Sequence, residues 1–171
     1  MTGYAQGDDR AFERLYARHR GALYRFFLRQ LPDSANDCYQ ETWLKLIRAR
    51  HAYTASGSFR AWLFTLAHNV LTDRFRKQMR APEASETDPD DIADGHAIDD
   101  TVERLRLIRA LHVALVKLPL HQREAWLMKQ EAGLSLKEIA DVTGTSEEGV
   151  KSRLRYANAK LRAGMARYVD A

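Results

Sequence analysis

Large apolar residues recur along this chain at intervals of three and four, and no stretch alternates for long enough to make a convincing strand. The first series is Phe12, Leu15, Tyr16, Leu23, Phe26, Phe27 and Leu31. That spacing lays an apolar stripe along one face of an α-helix. Asp8 or Asp9 can cap its start, and Pro32 ends the run. Asp33 or Ser34 can then cap a second helix, whose stripe includes Trp43, Leu44 and Ile47. The stretch HAYTASG, residues 51–57, lacks a period and ends in Ser-Gly, which predicts a loop. Ser58 is placed to cap a third helix, FRAWLFTLAHNVLTDRFRKQMR, with Leu63, Leu66, Ala67, Val70 and Leu71 on its stripe.

A second set of helical patterns follows residue 100. Val102 to Lys117 reads as an amphipathic helix stopped by Leu118-Pro119. His121 to Glu131 gives another, ending near Gly133. Ser135 or Leu136 starts a third, Gly144 ends it, and a fourth runs from about Glu147 toward the C-terminus. The stretch between the two sets holds Pro82, Pro89 and Gly95 and few large apolar side chains. It cannot bury enough surface to offset the entropy of ordering it. The expected architecture is all-α: two small helical domains, residues 1–80 and 104–171, joined by a flexible linker over 81–103.

Charge sharpens that division. The linker carries nine acids and no Lys or Arg, and outside it 27 basic residues face 14 acidic ones. Two basic blocks flanking an acidic tether suit a polyanionic partner, nucleic acid above all, although a solvated surface would show the same balance. A hydrophobic content of 45% is enough for packed cores. The single cysteine, Cys38, excludes a disulfide framework within the chain and fits a reducing compartment. No apolar run approaches the roughly 20 residues of a membrane span, and the N-terminus has no signal-peptide core. A soluble, cytoplasmic protein is expected.

The stretch LSLKEIADVTGTSEEGVKSRLRYANAKLR, Leu134 to Arg162, has the spacing of a helix-turn-helix. Ala140 is small where two helices should cross, and Gly144 suits a tight turn. Val150, Leu154, Ala157 and Leu161 share one face of the last helix, expected to pack on Leu136, Ile139 and Val142. With that face inward, Glu148, Ser152, Arg155 and Ala159 point outward, flanked by Lys151 and Tyr156. Such a strip suits the DNA major groove; an amphipathic helix with a wet basic face has the same pattern. Glu147 and Glu148 open this helix. Thr145 with Glu148 fits a capping box, or Ser146 caps with both acids in the first turn, where the helix dipole favours them.

With these motifs in order, the chain resembles the extracytoplasmic-function (group 4) sigma factors of bacterial RNA polymerase, in the sigma-70 family. AFERLYARHRGALYRFF resembles the opening of region 2, DCYQETWLKL the segment that binds core polymerase, and SFRAWLFTLAHNVLTDRFRKQ the promoter −10 helix. LPLHQREAWLMKQEAGLSLKEIADVTGTSEEGVKSRLRYANAKLR resembles region 4. The resemblance implies that Asp37, Gln40, Glu41, Leu44 and Lys45 dock on the clamp helices of the β′ subunit. It implies that Asn69 lies near the pocket for a flipped −10 base, with Asp73 one turn on, and that His68, Arg74 and Lys77 contact phosphates. Trp62 and Phe59 are candidates for touching the melted strand, with a core role as the alternative. Glu148, Lys151, Ser152, Arg155 and Tyr156 would face the −35 duplex, and Arg153 would grip phosphate, with Arg123 and Lys137 as weaker phosphate candidates. The β flap of polymerase and an anti-sigma protein are further implied partners. In the family the linker passes near the polymerase cleft, where nine acids can imitate nucleic acid or simply solubilise a tether.

One departure concerns the core-binding helix. Many relatives have Asp-Ala-Glu-Asp where this chain has Ser34, Ala35, Asn36 and Asp37. Missing acids resemble a subset activated by threonine phosphorylation, which makes Thr42 or Thr54 a candidate site. A helix-turn-helix regulator with an N-terminal dimerisation or sensing domain is the alternative, and would bind a palindromic operator unaided. Enzyme chemistry is not expected: the six histidines are scattered, no metal spacing is present, and GxxxxGK[ST] and GxSxG are absent. No cofactor or metal is expected.

Overall fold

The computed structural model describes residues 1–54, 57–80 and 101–169. Among them every regular element is helical, as the all-α expectation requires. Of the segment read as linker, residues 81–100 lie outside the described residues, and so do the roles considered for its acids other than Glu103.

In the first domain, α1 (Thr2–Ala5) is one turn, too short to leave a periodic signal. Its Tyr4 ring packs 4.9 Å from Phe12. α2 (Asp9–Leu28) starts where Asp8 Oδ1 accepts from the Ala11 amide at 3.2 Å. It stops before Leu31, whose backbone is pushed out of the helical region (φ −144°) by Pro32. A 3-10 turn, Pro32–Ser34, leads into α3 (Ala35–Arg48). Ser34 stands at the N-cap without a capping bond from its side chain, so the turn replaces the expected serine cap. α4 (Phe59–Arg80) is capped as expected, Ser58 Oγ accepting from the Ala61 amide at 3.1 Å.

Leu23, Phe26, Phe27, Leu46, Leu63, Phe64 and Leu71 fill the core between α2, α3 and α4. Phe26 meets Phe64 edge to face at 5.3 Å. Each such side chain contributes roughly 1.5–3 kcal/mol on burial. One assignment is corrected. Leu44 is not on the core stripe of α3 but 51% exposed. Ala35, Cys38, Thr42 and Leu46 form the buried line, and 100° per residue turns Leu44 away from it.

The second domain holds α5 (Thr101–Val116), α6 (Leu120–Gln130), α7 (Leu136–Thr143) and α8 (Glu147–Val169). α5 starts three residues inside the segment read as linker. Ser135 and Glu138 form a reciprocal capping box on α7. Gly144 takes the left-handed conformation (φ 63°, ψ 37°), which lets the Thr145 amide reach the Ala140 carbonyl at 3.0 Å. Ser146 Oγ accepts from the Gly149 amide at 3.0 Å. Of the two caps considered for α8, it is therefore the serine that makes the bond. Ile139, Ala140, Val142, Val150, Ala157 and Leu161 are buried between the helices, as their spacing predicts.

The two domains also pack on each other, α4 running beside α7. Arg60 Nη1 donates to the Ala132 carbonyl at 2.8 Å, and Ser58 Oγ donates to Glu138. Burial pushes the Glu138 carboxyl up, but bonds from Ser58 and Ser135 outweigh it and hold the group below its usual range.

Candidate nucleic-acid and polymerase interfaces

The caps around Gly144 fix how α8 leaves the turn, and so fix the register of its outer face. Lys151, Arg155 and Tyr156 lie exposed there, with Ser152 and Arg153 partly covered. The Arg155 guanidinium lies 5.2 Å from the Tyr156 ring centroid, a stacked arrangement that orients its donors. Arg153 sits nearer the turn, its Nη1 donating to Thr143 Oγ1 at 3.4 Å. Glu148 points outward and binds Lys151 Nζ at 2.6 Å. That bond holds the exposed lysine above its usual value. The strip thus offers a cationic and hydroxyl surface on the outer face of one helix, an element the major groove admits, with one acid one turn upstream.

On α4, Asn69, Asp73 and Lys77 are exposed and follow one another at helical intervals along one edge. Arg74 is partly covered. Trp62 is partly buried, its ring 5.0 Å from Tyr53 and 6.1 Å from Phe59. Those contacts fit the core role, while the side chain stays partly accessible. His68 is held elsewhere: its Nδ1 lies 2.6 Å from Glu124 of α6. That hydrogen bond raises the imidazole's pKa, against burial and the nearby Arg153.

On α3, Asp37, Gln40, Glu41 and Leu44 occupy successive turns of the outward face, with Lys45 beside them. Lys45 pairs with Glu41 at 3.1 Å and approaches Asp73 at 3.9 Å, and Arg74 reaches Asp37 at 3.5 Å. The candidate core-binding face and the candidate −10 helix are therefore tied by exposed ion pairs. Each such pair contributes about 0–1 kcal/mol, little enough for a partner to exchange it.

Thr42 is corrected as a phosphorylation candidate. It is fully buried and donates its hydroxyl to the Cys38 carbonyl at 2.8 Å, out of reach of a kinase. Thr54 lies exposed. The Cys38 thiol is buried, and burial pushes its pKa up, so it is a packing group rather than a reactive one. Arg123, a weaker phosphate candidate, is buried with its Nε donating to Gln30 Oε1 at 2.9 Å. Among the described residues no group of His, Cys, Asp and Glu could hold a metal ion, and no helix is long and apolar enough to cross a membrane.

The residues that sequence reasoning missed are Arg25, Arg29, Glu124 and Glu131, which join the two domains. One signal was available. Arg123 and Glu124 abut Ala125, Leu127 and Met128 on the buried side of α6. A charge at such a position needs a partner.

Family models for Sigma-70 region 2 and for Sigma-70, region 4 match residues 15–81 and 108–161. The chain is 32% identical over 164 residues to the RNA polymerase sigma factor CarQ of Myxococcus xanthus, covering 95% of this chain and 93% of that one. It is 33% identical over 166 residues to the ECF RNA polymerase sigma factor SigC of Mycobacterium tuberculosis, covering 93% and 85%. Among solved structures, CnrH in complex with the cytosolic domain of CnrY is similar with a TM-score of 0.69, at 30% identity, over 95% of this chain and 92% of that one. Both domains match sigma regions in the family's order, which disfavours a regulator with an unrelated N-terminal domain. The chain belongs to the extracytoplasmic-function sigma factors of the sigma-70 family.

Proposed function

We propose that the chain binds core RNA polymerase through the α3 face, reads −35 duplex with the α8 strip, and captures the melted −10 strand along α4. The observation that carries this reading is the pair of exposed edges on separate domains: Lys151, Arg155 and Tyr156 on α8, and Asn69, Asp73 and Lys77 on α4. Arg155 and Lys151 supply donors for base edges and phosphates, and Ser152 a hydroxyl. Asn69 offers an amide for the hydrogen-bonding edge of a flipped base, and Lys77 a cation for its backbone. Trp62 gives the melted strand an aromatic edge beside them. Asp37, Gln40, Glu41, Leu44 and Lys45 dock on the β′ clamp helices, Leu44 as the apolar anchor within a polar rim. The second domain meets the β flap.

The protein itself performs no covalent chemistry. Favourable single-strand capture offsets the cost of unpairing the −10 segment. This role requires a cytoplasmic location, where polymerase works. Control by a protein clamped on both domains fits the likeness to CnrH bound to CnrY. Run-off transcription with purified core and genomic fragments is expected to give discrete start sites that vanish without this protein. Absence of any specific start would overturn the reading.

A further inference from the structure

Trp126 of α6 is only partly covered, packed against the core where α6 runs beside α8. Its Nε1 donates to Asn158 Oδ1 of α8 at 3.1 Å, across 32 residues of sequence. Both groups lie within reach of water, so the bond adds little to folding. Its larger effect is on direction. An indole N–H only donates, so it fixes which end of the Asn158 amide faces it. The oxygen turns to Trp126, and the two Nδ2 hydrogens are left facing away from the indole.

Register decides what those donors can meet. Lys151, Arg155 and Asn158 follow one another at intervals of four and three, and all three are exposed. With Arg155 at the centre of the outer strip, a turn of about 100° per residue puts Asn158 about 60° to one side and Lys151 about 40° to the same side. Trp126 therefore stands at the margin of the strip. Along the axis, Asn158 lies about 16 Å beyond Glu147, at about 1.5 Å per residue. The major groove is about 12 Å wide. A short side chain that far along a helix entering the groove by its first turns meets the phosphate wall rather than the base edges.

The chemistry of the amide agrees. Asparagine reads adenine by donating and accepting at once. With its carbonyl held by the indole, Asn158 has lost the acceptor which that pairing needs. It keeps two donors, and phosphate oxygens accept.

We propose that Trp126 holds Asn158 as an oriented, uncharged donor to a phosphate at the wall of the −35 major groove, fixing how α8 is seated there. Asn158 touches the DNA; Trp126 is a positioning residue that acts through it. The contact rests on the promoter-reading role proposed above for α8, and adds to that strip a group with neither charge nor base preference.

The test is competition binding by holoenzyme to short duplexes carrying the −35 element. The variants are Asn158→Ala, Asn158→Asp, Trp126→Phe and the double variant Trp126→Phe/Asn158→Ala. Asn158→Ala should bind about tenfold more weakly, the loss of one hydrogen bond to a charged group. The loss should be the same for every single-base variant of the element. The salt dependence should stay as steep as in the wild type, because a neutral amide releases no counterion. Asn158→Asp can still accept from the indole but sets a negative charge against phosphate, so it should bind more weakly than Asn158→Ala. Trp126→Phe keeps a ring on α8 and frees the amide; it should cost about threefold, through the side-chain freedom regained. The double variant should lose no more than Asn158→Ala alone, since nothing is left to orient. Denaturant titrations of each variant separate a loss of fold from a loss of contact. Additive losses in the double variant would reduce Trp126 to packing and overturn the pairing. Base-dependent losses would overturn the assignment to phosphate, and wild-type binding by both single Asn158 variants would overturn the contact. A wild-type holoenzyme with no −35 preference would instead overturn the promoter-reading role, and this contact with it, so the two failures are told apart.

Discussion

Arg155 and His68 differ in what surrounds them, and that difference sets what each can do. Arg155 is exposed and stacked on Tyr156, so its donors are oriented but unspent. Arg155→Ala should cost about 1–3 kcal/mol at a cognate −35 sequence and relax preference at one base pair, as expected for a bidentate base contact. Competition binding by holoenzyme across single-base variants checks this; a uniform loss over all sequences would assign Arg155 to phosphate instead. His68 is spent on Glu124. That bond holds its imidazolium above the ordinary range near 6.5, with burial and Arg153 opposing. Unfolding returns it to the ordinary value. Its contribution to stability is therefore full below the ordinary value and lost as pH rises through the raised one. His112 acts oppositely: burial, then Arg123 and Arg29, push its pKa down, so its contribution is present above the ordinary value and lost as pH falls. Denaturant titrations of the wild type and of His68→Gln at about pH 6 and about pH 9 separate the two. The wild type should lose more stability than the variant as pH rises; equal losses would leave the His68–Glu124 bond without a part in stability.

At the scale of elements, local chemistry decides where helices begin and how they are aimed. Ser146 caps α8, and Ser146→Ala should destabilise the second domain by about 0.5–2 kcal/mol in denaturant titrations. Gly144→Ala forces a Cβ into the left-handed region at a cost of roughly 1–2 kcal/mol and re-aims α8, so −35 binding should fall with stability. Both caps were legible because they are written within four residues. The helix-turn-helix was legible for the same reason: Ala140, Gly144, Val150 and Leu154 carry its geometry in fifteen residues. Leu44 was misread because periodicity ranks a leucine as core regardless of where its neighbours put it. Its exposure suits the docking role proposed for it. Leu44→Ala should weaken core binding by about 1 kcal/mol or more while leaving folding stability within about 0.5 kcal/mol. Equal losses in both would return it to a structural role.

At the scale of the molecule, the sequence announces two helical domains and the motifs on each, but not their mutual packing. The bonds across the interface join residues 56 to 106 apart, a separation at which no hydrophobic period carries information. The trace they leave is a pair of charges on the buried side of α6, which signals a partner without naming it. The candidate strip on α8, by contrast, emerges from local register, while the candidate edge on α4 rests on the family resemblance. What remains to be tested is whether those edges divide the work, one opening DNA and the other reading it closed. Permanganate reactivity of −10 thymines, with −35 duplex binding measured in parallel, tests this directly in holoenzyme carrying Asn69→Ala. Thymine reactivity should collapse while duplex binding stays at the wild-type level. Wild-type reactivity in the variant, or equal loss of both signals, would contradict a two-site promoter reader with its melting edge on α4.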